Sequence, residues 1–598
     1  MDNKPNVVVR VGGEAGEGTI TLGELFTRIA ARAGLEVYTY RTYPSSIKGG
    51  QVLYQTRLGV ERVLSEGDDA DLLVAMNALA WTESRGDLKE GGMLLYDPVG
   101  LPAPQIERER ALPLPATELA RQLDWLRGKN MVMVGALTWL FELGLERAEA
   151  VVRQRMAHYA DLLPSNLAAL GAGYHYAREH YPERLPCRLQ PPEHPEERLI
   201  LSGADALALG ALAAGCRFYA GYPITPATPV MEAMAKYLPA FDGTFIQAED
   251  EIAAINMVVG ASFAGRPAMT ATSGPGLSLM IETLGMASMA EVPIVLVDVQ
   301  RGGPSTGLPT KTSQGDLFLA LYGGHGDAPR FVLAPDSVKD SYYEMINAFS
   351  LAEHYQMPVI VLSDQAMAAR VETIPYPDRE GFAWCEHLSR ILPDETALSG
   401  DYRRYRRTED GISPMALPGM PGGMYSAESL EHDEYGHPTQ APHVHAAMMA
   451  KRARKVETAR RRLVNWKAAA RRWGTHGAPF GVMGWGSTRG AVREAMQIIG
   501  REKIPLEALY PHTLLPMPDK AIADYLHGKK SILIPELNAS SQFARMIEHR
   551  YYKQLEEEGI HIYMLPKEEG RPFKVREIVQ AILDMVDREC WGIRGGWR

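Results

Sequence analysis

The sequence predicts an α/β protein made of three α/β domains, and three observations carry that prediction. Short apolar runs such as "NVVVRV", "VPIVLVDVQ" and "MPVIVLSDQ" alternate with stretches of helical periodicity, the pattern of strands and crossover helices. Turns rich in glycine, serine or threonine, such as "GGEAGEG", "TSGPGLS" and "WGSTRG", sit where a run gives way to a helix. Strand ends of this kind are where such folds hold ligands. Segments rich in proline and charge divide the chain into blocks.

Bulk composition narrows the class. A chain of 598 residues with 46% hydrophobic and 23% charged residues has room for several full-sized cores. A net charge of −10 argues against general affinity for nucleic acid. No apolar run approaches the ~18 residues that a bilayer crossing needs, and "MDNKPNVVVR" does not read as a signal peptide. The cysteines Cys187, Cys216, Cys385 and Cys590 are scattered without a C-x-x-C. They give neither a disulfide framework nor a cluster-binding pattern, and the expected setting is the reducing cytoplasm.

The first domain is read over residues 1–180. Its opening strand runs into Gly12–Gly18 and a helix, followed by the short strands "DLLVAMN" and "GGMLLYD", which reads as parallel α/β. The glycine loop is either a tight turn for close packing or an anion site. It carries two acids and lacks the ending of a P-loop. A second loop, "YPSSIKGGQ", offers Ser45, Lys48 and two glycines. Residues 181–197 hold five prolines and read as a linker.

The second domain, 198–370, shows six strands: "CRFYAGY", "TFIQ", "PAMTATS", "VPIVLVDVQ", "RFVLAP" and "MPVIVLSDQ". Candidate chemistry gathers at their ends. After the first comes "PITPATP", stiff because proline fixes φ and donates no hydrogen bond. After the second, acids at 249, 250 and 251 open an apolar helix. Acids in a first turn complement the helix dipole, while a carboxylate beside so apolar a helix is partly desolvated, which raises its pKa and suits proton work. After the third lies Ser273-Gly274-Pro275-Gly276, and after the fourth Arg301 and a long loop. An arginine there is placed to clamp a carboxylate.

Residues 371–475 read as an irregular connecting segment closed by a basic helix, Ala450 to Trp473, with a solvated charged face. Within it, His432, His437, His443 and His445 have no zinc spacing, so no metal ligands are assigned. The third domain, 476–598, is a further α/β unit.

Five motifs in order, "GYPITPATP", "QAEDEIAAINMVVGAS", "TSGPGLSLM", "QRGGPSTGLPTKTSQGDL" and "GISPMALPGMPGG…EHDEYGHP", resemble the alpha subunit of 2-oxoacid:ferredoxin oxidoreductases, most of all the 2-oxoglutarate type. "GGEAGEG" and "YPSSIKGG" resemble the gamma domain of that family, here fused at the N-terminus. The resemblance implies a Rossmann-like gamma domain, a central pyrimidine-binding thiamine fold and a C-terminal domain like that of transketolase.

The resemblance also implies thiamine-dependent oxidative decarboxylation of a 2-oxoacid, with coenzyme A as substrate and electrons passed to ferredoxin. Glu251 would match the glutamate that bonds the aminopyrimidine, Thr225 would lie beside substrate, and Arg301 would hold the 2-oxoacid carboxylate. Tyr222, Pro223, Ile224, Ser273, Gly274 and Gly276 would line the cofactor. Lys48, Ser45, Thr306 and Lys311 are candidates for a second substrate carboxylate. The chain has no G-D-G motif and no cluster-binding cysteines, which implies a beta subunit carrying Mg²⁺, the diphosphate and a [4Fe–4S] cluster in an α₂β₂ assembly. Two alternatives stand beside this: the same chemistry on pyruvate or another 2-oxoacid, and a non-catalytic nucleotide- or CoA-binding subunit.

Overall fold

Alternating runs of this kind bury both faces of a strand only if helices cover the sheet, and the chain builds three substantial sheets to do so. The computed structural model describes all residues except 1, 4, 45–49, 184, 186, 192–194, 379–388, 464–468 and 592–598. Contacts divide the chain into two units. One comprises residues 1–202, 370–376 and 574–576; the other comprises 203–369, 377–573 and 577–598.

The first unit holds an eight-stranded sheet in the order 111–113, 88–96, 70–75, 6–14, 51–59, 36–42, 371–375 and 198–202. The first four are mutually parallel. The other four pair antiparallel, beginning with Asn6–Glu14 against Gln51–Gly59. The parallel reading of this block therefore holds for half the sheet. The strands Glu36–Thr42 and Gln51–Gly59 form a hairpin around the "YPSSIKGGQ" loop, and a hairpin connection can only be antiparallel. Ser45 and Lys48 lie outside the described residues.

The glycine loop behaves as a tight turn. A Cβ on Gly13 would fall 2.3 Å from Thr19 Oγ1, and Glu17 accepts hydrogen bonds from Glu14 N and Asn77 Nδ2. The loop's acid is thus spent inside the turn.

The second unit carries a seven-stranded sheet in the order 244–247, 218–221, 268–272, 294–300, 358–364, 331–333 and 513–515. The first six strands are the six read from sequence, all parallel. The seventh, Thr513–Leu515, comes from the last part of the chain and pairs antiparallel. A five-stranded sheet, 470–474, 506–511, 480–483, 531–536 and 561–566, stands beside it. One continuous core runs from Leu296 and Ile360 of the larger sheet to Trp485, Ile532 and Phe543 of the smaller.

The basic helix differs from the sequence reading. It spans Pro442–Leu463, and Ala470–Gly474 is an edge strand. Its basic face is not all solvated: Lys451 and Lys455 are 1% exposed and both pair with the buried carboxylate of Glu291, Lys451 at 2.7 Å. Burial pulls Lys455 down to about 7 despite that partner. Among the described residues no helix is long and apolar enough to cross a membrane.

Candidate functional site at the edge of the central sheet

Four consecutive loops at the carboxyl ends of the parallel strands bring the candidate residues together. The strand Phe218–Gly221 gives way to Tyr222 and Pro223, both exposed, and then to Ile224, which packs on the core. Ile224 O accepts hydrogen bonds from Ala227 N and Thr228 N, which starts the helix Thr228–Tyr237. The Thr225–Pro226 bond is cis. Thr225 O accepts a hydrogen bond from Arg301 Nη1, so the proline loop and the arginine are tied directly.

Asp250 caps the helix Glu251–Phe263 by accepting from Ala253 N at 2.7 Å. Capping is thereby done by the neighbour, and Glu251, only 6% exposed, keeps its carboxyl for other contacts. Those contacts face the next loop. A Cβ on Gly276 would lie 2.0 Å from Thr272 Oγ1 and 2.9 Å from Glu251 Oε1. Only glycine leaves room there. A Cβ on Gly274 would meet Asp316 Oδ2 at 2.9 Å, so this loop runs between Glu251 and Asp316.

The hydroxyls of Thr270, Thr272 and Ser273, and Nε of Arg301, are buried and have no hydrogen-bond partner among the described residues. Leaving such groups unpaired costs about 1–3 kcal/mol each. Their concentration at one strand edge marks a place built for something else to bind.

Sequence reasoning missed two residues here. Asp298, fully buried, lies on the strand Ile294–Gln300 near Asp316, and neither of its carboxyl oxygens has a hydrogen-bond partner among the described residues. Burial and the neighbouring carboxylate push Asp298 well above the usual range, and burial lifts Asp316 to about 6, with Arg301 opposing both. The signal was present: Asp298 is the only charged residue in "VPIVLVDVQ", and a lone acid inside a buried strand is rarely accidental.

The long loop after Arg301 folds back on itself through Leu308 N to Gly302 O and Gly302 N to Lys311 O. Thr306 sits exposed at its tip. The Lys311 side chain packs against Gly570, and burial together with Arg571 lowers its pKa. The loop's far end is anchored by Gln314, which bonds Leu537 through backbone and side chain and Trp485 O through Nε2.

The histidine-rich segment serves packing and capping. His432 is buried with its ring 4.0 Å from that of Tyr405, Asp433 accepts from Tyr435 N and His437 N, and His445 pairs with Glu431.

Comparison with known proteins agrees with this geometry. Residues 209–451 match the family described as pyruvate flavodoxin/ferredoxin oxidoreductase, thiamine diphosphate-binding. Residues 8–176 match pyruvate ferredoxin/flavodoxin oxidoreductase. The solved 2-oxoglutarate:ferredoxin oxidoreductase from Magnetococcus marinus, with 2-oxoglutarate, coenzyme A and succinyl-CoA bound, is 41% identical. It superposes with a TM-score of 0.88 over 98% of this chain and 100% of its own. The 2-oxoglutarate oxidoreductase subunit KorA of Mycobacterium tuberculosis is 32% identical over 96% of this chain and 91% of its own. The 2-oxoglutarate synthase subunit KorA of Methanothermobacter marburgensis is 36% identical over 65% of this chain and 99% of its own, so a third of this chain has no counterpart there. On the strength of these similarities and of the matched thiamine-binding segment that carries the four loops, the chain belongs to the 2-oxoacid:ferredoxin oxidoreductase family, as a subunit of the alpha type.

Proposed function

We propose that this chain is the alpha subunit of a 2-oxoglutarate:ferredoxin oxidoreductase. With a beta subunit it decarboxylates 2-oxoglutarate in the presence of coenzyme A, giving succinyl-CoA and CO₂ and passing two electrons to ferredoxin. The observation that carries this reading is the gathering of Glu251, Thr225, Arg301 and the unpartnered hydroxyls at one sheet edge. The ligands named for the Magnetococcus marinus relative support the choice of acid.

The residues present fit thiamine diphosphate. A buried carboxyl, hydroxyls at Thr272 and Ser273 without a partner among the described residues, and a glycine that keeps side chains away from Glu251 would suit a flat polar ring. When bound, thiamine supplies the carbon nucleophile and electron sink of the decarboxylation. Glu251 holds the aminopyrimidine by hydrogen bonding to a ring nitrogen, which sets the protonation of that ring. Ser273, Gly274, Gly276, Tyr222, Pro223 and Ile224 would line the cofactor.

Arg301 receives the 2-oxoacid carboxylate. Its bond to Thr225 O fixes the guanidinium and places Thr225 against the substrate. Asp298 and Asp316 act behind it as positioning residues, set electrostatically against Arg301. Thr306 and Lys311, together with Ser45 and Lys48, are the candidates for the distal carboxylate. The absence from the sequence of a G-D-G motif and of cluster-binding cysteines supports a beta subunit that supplies Mg²⁺, the diphosphate contacts and a [4Fe–4S] cluster. An α₂β₂ complex in the cytoplasm completes the proposal.

The test is viologen reduction by the chain alone and with its beta partner, supplied with thiamine diphosphate, Mg²⁺, coenzyme A and a series of 2-oxoacids. Activity only in the mixture, highest with 2-oxoglutarate, is expected. Activity of the chain alone would overturn the divided site, and preference for pyruvate would overturn the substrate.

A further inference from the structure

We propose that a cavity formed by the Gly323–Arg330 loop and the outer face of the helix Pro442–Leu463 binds a small organic polyanion, phosphate or carboxylate in class. The cavity encloses about 960 Å³, within the size range of small-molecule sites. Both of its walls lie within the second unit.

Its key residue is Arg330. The side chain is 3% exposed, and its Nε and Nη2 donate to Ala328 O and Gly323 O at 3.3 and 2.9 Å. Nη1 is buried and has no hydrogen-bond partner among the described residues. Burial alone lowers its pKa, with no carboxylate set against it. A guanidinium withdrawn from water without a counter-charge is expensive, and an anion in the adjoining cavity removes that expense.

The rest of the wall continues the same charge. Arg454, Arg460 and Arg461 line it from the helix, against Asp327 and Glu457. Arg460 is neutralised by Glu457 at 2.7 Å, while Arg454 spends one N–H on Thr408 O. Arginine therefore remains in excess, and its forked donors suit oxyanions. Between these charges the helix presents Ala450 and Ala453, which leave the space open. Tyr322, 67% exposed, offers a ring for an apolar body to lie on. Gly326 has φ +69 and open space where a side chain would be, so backbone can approach a ligand closely.

The test is calorimetric titration of pyrophosphate and of citrate into the purified chain, and into its complex with the beta subunit saturated with thiamine diphosphate and coenzyme A. At least one probe is expected to bind both forms with sub-millimolar affinity. Binding should weaken more than tenfold in Arg330→Gln and in Ala453→Trp. The second variant fills the cavity from an exposed helix face, so it decides the matter even if Arg330→Gln fails to fold. Pyrophosphate alone would assign a phosphate ligand, citrate alone a carboxylate. No binding of either probe, or unaltered binding in Ala453→Trp, overturns the proposal. Binding to the chain but not to the complex would assign the cavity to a subunit interface and overturn it equally.

Discussion

Two buried polar clusters of the second unit are built on opposite rules. Around Asp336, three carboxylates meet three cations. Arg489 reaches Asp336 at 2.5 Å and Asp340 at 3.1 Å, Arg471 pairs with Asp340, and His512 lies 2.7 Å from Glu344 and 3.2 Å from Asp336. Around Ser273, by contrast, hydroxyls, a guanidinium nitrogen and the carboxyl oxygens of Asp298 lack hydrogen-bond partners among the described residues, and burial with a second carboxyl nearby raises the pKa of Asp298. A balanced cluster joins parts of a fold: this one ties the helix Val338–Tyr355 to the strands and helix of the smaller sheet. An unbalanced cluster is tolerated only where a ligand completes it. Both clusters are largely buried, and the balance of charge is what sets them apart.

The largest effect expected from this contrast is on turnover. Glu251→Gln keeps shape and volume but removes the charge, so the reconstituted activity should fall by about 10²–10⁴-fold, the usual contribution of a group that manages a proton. The thermal midpoint should hardly move, because Asp250 rather than Glu251 caps the helix. A variant that loses stability and keeps its rate would place Glu251 with the structural cluster instead.

The next effect runs the other way. Arg489→Met strands Asp336 and Asp340, both 2–3% exposed, with too little positive charge. Removing one partner of a buried ionic group costs about 3–5 kcal/mol, to be read from denaturant unfolding. Turnover per folded molecule should stay close to wild type. If activity collapses while stability holds, the balanced cluster is part of the reaction machinery and the contrast fails.

The sequence exposed these two clusters unequally. The six parallel strands and the residues at their ends were legible because proline, glycine and apolar runs mark strand ends locally. Charge balance is not local. Lys451 and Lys455 look like solvated helix residues until Glu291, 160 positions away, is brought beneath them. The partners of Asp336 likewise come from Arg489 and His512, 153 residues or more along the chain. The antiparallel half of the first sheet was hidden for a related reason. Its hairpin strands carry Arg41, Gln55 and Arg57 among their apolar residues, and these polar groups find their partners only in the folded sheet.

The last effect is the part of the pH dependence that His512 of the balanced cluster carries. Burial opposes the charge on His512, but Asp336 and Glu344 win and push it up from an ordinary 6.5 to about 10. A group whose folded pKa is raised stabilises the fold fully below its unfolded value. Its contribution is therefore whole below about pH 6.5, shrinks as pH rises toward about 10, and is gone above that. One proton contributes at most about 1.4 kcal/mol per pH unit, so unfolding followed between pH 7 and 10 should show stability falling with this slope or less. In His512→Gln that portion of the fall should vanish, leaving a flatter profile from a lower starting point. An unchanged slope would mean that His512 is neutral in the folded protein, and that two cations and three carboxylates set the charge of this cluster.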